Sequence, residues 1–102
     1  MITLITAAST ARAYKLKNAL ASQNVLLGDY EDLPEVMVTS GKMIKLPNPS
    51  GAAYIHEMLA LCLDKSITVV ITLRKQEFNL LGQALQLFEE YDIKIEQPDD
   101  SL

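Results

Sequence analysis

The sequence predicts an α/β protein built on a parallel sheet, and three observations lead to this fold class. Strand-like and helix-like segments alternate along the 102 residues. Residues 67–73, ITVVITL, form a continuous β-branched run typical of a central parallel strand. Because connections between parallel strands are right-handed, few topologies can join these segments. We therefore expect one domain over residues 1–102, a three-layer α/β/α Rossmann-like half with about five parallel strands in the order 3-2-1-4-5.

The first third of the chain predicts a strand, a helix and a second strand. Residues 2–6 are apolar and mostly β-branched, which favours a buried strand. Ser9 or Thr10 can cap the following helix by accepting a backbone N–H hydrogen bond. A stripe of alanine and leucine then indicates the helix itself. Residues 25–28 form the second predicted strand, and Asp29 stands at its end.

The middle of the chain is irregular, because residues 30–50 hold three of the four prolines. Two short strands are predicted here, over residues 36–39 and 43–46, and at least one should lie at a sheet edge, where proline is tolerated. Ser50 is expected to cap the second helix. The apolar residues of that helix follow at i, i+3, i+4, i+7 and i+8.

The last third predicts the central strand, a third helix over about residues 76–90, and a short strand around Ile93 and Ile95. A polar tail over residues 97–100 follows. The third helix is apolar on more than one face. Either the helix is broadly buried within the domain, or one of these faces needs a partner. A homodimer formed through this helix is therefore one prediction, and a fully buried helix is the alternative.

Composition and charge exclude several function classes. The net charge of −4 disfavours nucleic-acid binding. Cys62 is the single cysteine, so no disulfide within the chain and no cysteine metal cluster is expected. No apolar run approaches the ~18 residues of a membrane-spanning helix. The first charge is Arg12, so the N-terminus resembles a strand rather than a signal peptide, and we expect a cytoplasmic protein without membrane partners.

Ligands of such sheets bind beyond the carboxyl ends of the strands where the strand order reverses, here between the first and fourth strands. Asp29 lies about as far from the first loop as the acid that binds ribose in dinucleotide folds. However, the loop residues 7–12 are AASTAR and lack the glycines that allow close approach to a pyrophosphate. Asp29 is thus a candidate ribose ligand, or a residue that caps a turn.

An anion site is the second hypothesis for the same crevice. Ser9 and Thr10 can donate hydroxyl hydrogen bonds at a helix N-terminus, which attracts anions. Arg12 lies on the first turn of that helix, and Arg74 and Lys75 follow the fourth strand. Three cations near one crevice favour an anion or carboxylate ligand. The alternative is that they are solvated surface residues.

No catalytic residue, metal site or cofactor is predicted. His56 and Cys62 stand six positions apart on one predicted helix and point in different directions, so they cannot form a catalytic pair. The acidic pairs of the chain resemble solvated turns and a helix end. Glu77 lies at the crevice, but a single carboxylate cannot form a metal cage.

Residues 2–34, ITLITAASTARAYKLKNALASQNVLLGDYEDLP, followed by KLPNPSGAAYIHEMLALC and ITVVIT–LRKQE, resemble a known family. They are similar to the N-terminal (pre-ATP-grasp) domain of ATP-grasp ligases, in the group of carbamoyl-phosphate synthase large subunits and related carboxylate–amine ligases. The resemblance covers almost the whole chain. It implies a Rossmann-like domain that packs against an ATP-grasp domain, with residues 8–12 and Glu77 in loops next to the substrate. Residues 74–76, Arg-Lys-Gln, depart from the usual acidic, proline-bearing loop.

The resemblance implies that this chain alone is not a ligase, because it lacks the ATP-grasp and lid regions that bind ATP and magnesium. We therefore expect a non-catalytic accessory or substrate-binding module whose partner is an ATP-grasp domain or protein. A small nucleotide- or anion-binding protein, and a homo-oligomeric interaction module without a ligand, are the alternatives.

Overall fold

A computed structural model describes residues 2–8, 10–20 and 24–97. Five parallel strands form one sheet in the order β3-β2-β1-β4-β5, which confirms the predicted fold class and strand order. The strands are β1 (Ile2–Ile5), β2 (Val25–Asp29), β3 (Met43–Lys45), β4 (Ile67–Ile71) and β5 (Lys94–Glu96). The helices are α1 (Ala11–Ala19), α2 (Glu35–Thr39), α3 (Tyr54–Lys65), α4 (Lys75–Gly82) and α5 (Leu85–Glu89).

Helices cover both faces of the sheet. Neighbouring strand residues point to opposite faces, so Leu4 packs into one core cluster and Ile5 into the other. The cluster around Leu4 includes residues of α3, α4 and α5, and the cluster around Ile5 includes residues of α1 and α2. All β–α–β crossovers therefore share the same hand. Within the part of the chain that the structure describes, no helix is long and apolar enough to span a membrane.

The strand predicted over residues 36–39 is wrong, because this segment is helix α2. Pro34 precedes the helix, and its carbonyl oxygen accepts hydrogen bonds from the backbone N–H groups of Met37 and Val38. Since β3 pairs parallel to β2, the connection must cross back over the sheet, and a helical turn is the common way to do so. The second predicted strand is confirmed as β3, at the edge of the sheet.

Two helix boundaries also differ from the predictions. Ser50 does not cap α3, which begins at Tyr54 after a series of turns. The predicted third helix is divided into α4 and α5, because the backbone tightens after Gly82. There the N–H groups of Gln83 and Ala84 bond the carbonyl groups three residues earlier, as in a 3₁₀ turn. The surface that the long helix was predicted to present to a partner is therefore divided between two shorter helices.

Gly28 in β2 is required by close packing, and this leads to a testable prediction. A Cβ atom at this position would lie 2.9 Å from Cγ and Cδ2 of Leu46 and 3.2 Å from Ile44. Gly28→Ala is therefore expected to lower the free energy of unfolding by about 1 kcal/mol, the low end of overpacking costs. Urea denaturation measures the change. Gly82→Ala is the matched control, because open space surrounds Gly82 at the end of α4, and it should be neutral or stabilising by about 0.5 kcal/mol.

Candidate functional site

The carboxyl ends of β1 and β4 meet at the middle of the sheet, where the strand order reverses. Thr6 follows β1, and its hydroxyl oxygen accepts a hydrogen bond of 2.9 Å from the backbone N–H of Leu73, which follows β4. Thr72 is fixed from the other side, since its N–H and hydroxyl groups both bond the carbonyl oxygen of Glu96. The loops after β1 and β4 are thus hydrogen-bonded to each other and to β5 at the residues where they leave the sheet.

The loop after β1 contains a strained residue. Ala7 is buried and has a φ of +55°, in the left-handed region that costs a non-glycine residue about 1 kcal/mol or more. The hydroxyl group of Thr10 donates to the carbonyl oxygen of Ala7 (2.8 Å), and the Ala8 N–H bonds the Gly28 carbonyl oxygen (3.0 Å). Thr10 is also the N-cap of α1, as predicted, and Ser9 lies outside the described residues.

A buried ion pair lies across the end of β1. Nη2 of Arg74 lies 3.0 Å from both carboxylate oxygens of Asp29, whose side chain is 0% exposed. Asp29 ends β2 and Arg74 follows β4, and β1 lies between these two strands. The Arg74 side chain therefore crosses the crevice that the sequence predicted as the ligand site.

The surroundings of Arg74 stabilise its charge. The guanidinium carbon lies 5.0 Å from the ring centroid of Tyr30, in cation–π range, and Nη2 lies 3.8 Å from the Glu31 carboxylate. Burial alone would lower the pKa of Arg74, but the hydrogen bonds and charge of Asp29, with Glu31, outweigh burial and raise it. Asp29 and Arg74 are thus one charge-assisted unit, and any ribose hydroxyl at Asp29 would compete with this pair.

Glu77 is a second acid of the site and is also fully buried. It is the third residue of α4, the position from which a glutamate reaches back toward the N–H of the N-cap, here Arg74. Among the described residues, neither carboxylate oxygen has a partner in hydrogen-bond geometry. Burial raises the pKa of Glu77, the Thr6 hydroxyl and the charge of Arg74 oppose this effect, and the charge of Asp29 adds to it.

Tyr54 extends the polar group to the start of α3. Its hydroxyl oxygen is buried and lacks a hydrogen-bond partner in the described part of the chain. Burial and then the charge of Glu77 raise the Tyr54 pKa. We refer to the whole group as the strand-end cluster, which consists of Thr6, Asp29, Tyr54, Arg74 and Glu77.

The sequence predictions identified three of the five members of this cluster. They missed Thr6 and Tyr54, and they missed that Asp29 holds Arg74. The predicted strand order already placed Asp29 and Arg74 at the ends of the two strands that flank β1, and this was the one sign of their pairing. Tyr54 carried no such signal, because the irregular segment before α3 hides which residue begins the helix.

The other two predicted cations take different positions. Arg12 lies in the first turn of α1 and, with Lys15, Leu16 and Ala19, lines a cavity of about 80 Å³. Lys75 is the exposed first residue of α4, next to Arg74. A ligand anion at Arg74 would therefore have Lys75 nearby in the chain, whereas the role of Arg12 stays a prediction.

Cys62 and the acidic residues show no catalytic arrangement. Cys62 is buried in α3, and burial raises the pKa of its thiol to about 12, which makes the reactive thiolate rare at neutral pH. In residues 2–8, 10–20 and 24–97, no group of three or more His, Cys, Asp or Glu side chains could hold a metal ion. The polar groups of the strand-end cluster offer charges and hydrogen-bonding atoms.

Comparison with known proteins identifies the family of this fold and site. The family model described as PylC-like, N-terminal domain matches residues 3–96, which run from β1 to the end of β5. Among curated proteins, no sequence matches the chain. Since the match covers nearly the whole chain, the resemblance noted in the sequence is confirmed, and the chain belongs to the PylC-like N-terminal domain family, the pre-ATP-grasp domain of ATP-grasp-related ligases.

Proposed function

We propose that this chain is a non-catalytic, substrate-binding module of an ATP-grasp ligase, and that the strand-end cluster is its ligand site. Membership of the family supports the association with ligase chemistry. One observation carries the site: the Asp29–Arg74 pair lies across the end of β1, where ligands of open α/β sheets bind. The partner in this proposal is an ATP-grasp domain or protein, and the single buried thiol of Cys62 suits a cytoplasmic setting.

Arg74 is the partly exposed member of the Asp29–Arg74 pair, so its chemistry determines which ligand group the site would bind. The side chain of Arg74 is 24% exposed, whereas that of Asp29 is 0% exposed. Both hydrogen bonds to Asp29 use Nη2, and a guanidinium group has five N–H donors. The Nη1 donors therefore remain for a second acceptor, whereas Nε is buried. A carboxylate or phosphate group is the acceptor that suits a guanidinium. The ligand group that this site would bind is thus an anion.

The cost of the cluster supports a functional role. Leaving a buried polar group without a hydrogen bond costs about 1–3 kcal/mol, and Glu77 and Tyr54 both carry such atoms. The left-handed Ala7 lies in the adjoining loop. Strain and unsatisfied polar groups concentrate at functional sites, because a sequence selected for stability alone would remove them.

Calorimetry with inorganic phosphate, acetate and ADP tests the anion site. Arg74→Lys keeps the charge but loses the fork, so we expect it to weaken binding about tenfold, the scale of one charge-assisted hydrogen bond. Asp29→Asn is expected to strengthen binding, because it removes the carboxylate that competes for Arg74. Lys42→Ala should leave affinity unchanged, because Lys42 is exposed and precedes β3, an edge strand of the sheet.

The outcomes separate the possible functions. Absence of binding heat with all three anions, or equal weakening by the Lys42 and Arg74 changes, would refute the anion site. ATP hydrolysis by the purified chain would refute a non-catalytic role. Much tighter binding of ADP than of phosphate would instead favour a nucleotide-binding protein, the alternative that the position of Asp29 raised.

A further inference from the structure

Strand β5 forms one edge of the described sheet, and its backbone orientation can be worked out from one hydrogen bond. The carbonyl oxygen of Glu96 accepts from the N–H of Thr72, so Glu96 directs its backbone groups toward β4. Peptide groups alternate in direction along a strand. The N–H and C=O groups of Ile95 therefore point away from β4, and no described strand pairs with that side.

Apolar surface adjoins this open edge. A groove of about 450 Å³ runs between α5 and β5, and it is lined by the apolar residues Leu85, Ile93 and Ile95 together with the charged residues Glu89, Asp92 and Lys94. Leu85 is 40% exposed, and Tyr91, in the connection between α5 and β5, is 49% exposed. An open strand edge beside exposed apolar side chains is the usual form of a surface that accepts another strand.

The charges of β5 are complementary to those of a second copy of the same strand. Lys94 and Glu96 share the face opposite to Ile95, and Nζ of Lys94 lies 3.3 Å from Oε1 of Glu96. If two copies pair antiparallel around a two-fold axis at Ile95, each Lys94 lies opposite the Glu96 of the other copy. Opposite charges directly across antiparallel strands are stabilising, whereas like charges are destabilising.

We propose that a second copy of this chain binds along β5 in antiparallel register, with Ile95 opposite Ile95. The two Ile95 residues would then exchange both backbone hydrogen bonds, as in a hydrogen-bonded antiparallel pair. The Gln97 N–H of each copy would meet the Ile93 carbonyl of the other, and the Ile93 N–H is already bonded to the carbonyl oxygen of Phe88. Ile95, Leu85 and Tyr91 supply the apolar contacts, and the two sheets become one sheet of about ten strands.

The proposed pairing of two β5 strands also explains why this edge strand carries charged residues. Edge strands often carry charged residues that prevent pairing with other chains. A strand with one sign of charge would repel a second copy, but the Lys–Ile–Glu order around the axis makes the surface complementary to itself, as a two-fold interface requires. The pairing segment is short, so a weak dimer with a dissociation constant of roughly micromolar or above is expected.

Sedimentation equilibrium over a concentration series tests this dimer by exchange of charge. Lys94→Glu and Glu96→Lys each place like charges opposite one another twice, and each is expected to raise the dissociation constant about tenfold. The double change Lys94→Glu with Glu96→Lys restores opposite charges in the same register and should restore the wild-type dissociation constant. Both side chains are exposed, 72% and 42%, so circular dichroism should show that all variants are folded.

Matched charge reversals at exposed positions of other elements serve as controls. Lys42→Glu and Glu35→Lys change the net charge by the same amounts and should leave the dissociation constant unchanged. A wild-type chain that stays monomeric up to millimolar concentration would overturn the proposal. A dimer that persists in both single variants, or that the double variant fails to restore, would also overturn it, because another surface or register would then be responsible.

Discussion

Arg74→Ala is expected to lower the free energy of unfolding by about 3 kcal/mol, the largest effect of any single change considered for this protein. Removal of one partner of a buried ion pair costs about 3–5 kcal/mol, because the other charge is left uncompensated. Asp29 is fully buried, and its carboxylate would lose both 3.0 Å contacts. We expect the low end of the range because the Arg74 side chain is partly exposed. Urea denaturation followed by circular dichroism measures the loss.

A double variant distinguishes the uncompensated charge from simple loss of packing. Asp29→Asn together with Arg74→Met removes both charges and keeps similar side-chain volumes, so it should destabilise the protein less than Arg74→Ala alone. Lys42→Ala is the surface control, since Lys42 is exposed and surface substitutions usually change stability by at most about 0.5 kcal/mol. A double variant that is less stable than Arg74→Ala would contradict the central role of the uncompensated Asp29 charge.

The Asp29–Arg74 pair shows why the sequence predicted the position of the crevice but not the contact that lies across it. The crevice follows from strand order, and strand order follows from the alternation of elements and the handedness of crossovers, both of which leave local signals. The direction of the Arg74 side chain leaves no local signal in the sequence. It depends on a carboxylate 45 positions earlier that becomes a neighbour only when β1 lies between the two strands.

The errors in the secondary-structure prediction have separate physical causes. Residues 36–39, VMVT, have strand propensity but form α2, because a parallel β3 requires a crossover at this point. Tertiary context overrides propensity in such short segments. The third helix was predicted correctly in its apolar pattern but not in its continuity. Glycine weakens helices in general, and the sequence does not indicate whether Gly82 ends one.

The strand-end cluster buries two acids beside one cation, and this arrangement has consequences for their protonation. Asp29 and Glu77 are two acids that share one cation, Arg74. Burial of two carboxylates beside one guanidinium is unfavourable unless one acid is protonated or a second cation approaches. Burial raises the pKa of Glu77, which favours its protonated form.

Protonation of Glu77 leads to a pH-dependent prediction for Glu77→Gln. In the unfolded chain the glutamate pKa is about 4.3, and burial raises it in the folded protein. Between these two values the folded state binds more protons, so the contribution of Glu77 to the free energy of unfolding decreases as pH rises. Glutamine occupies the same position without a charge. The variant should therefore match the wild type near pH 4 and exceed its stability by about 2 kcal/mol at pH 8, the scale of an unsatisfied buried group.

Parallel denaturation series for the two proteins between pH 4 and pH 8 test the sign as well as the size of this effect. Glu57→Gln, the same chemical change at an exposed position of α3, should alter stability little at any pH. A Glu77→Gln variant that is less stable than the wild type at pH 8 would show that the ionised carboxylate is favourable in the folded protein. The Thr6 hydroxyl, the charge of Arg74 and the Arg74 backbone N–H, which all lower the pKa of Glu77, would then outweigh its burial. In that case the strand-end cluster would carry a net negative charge at neutral pH, and a cationic ligand group would suit it better than an anion.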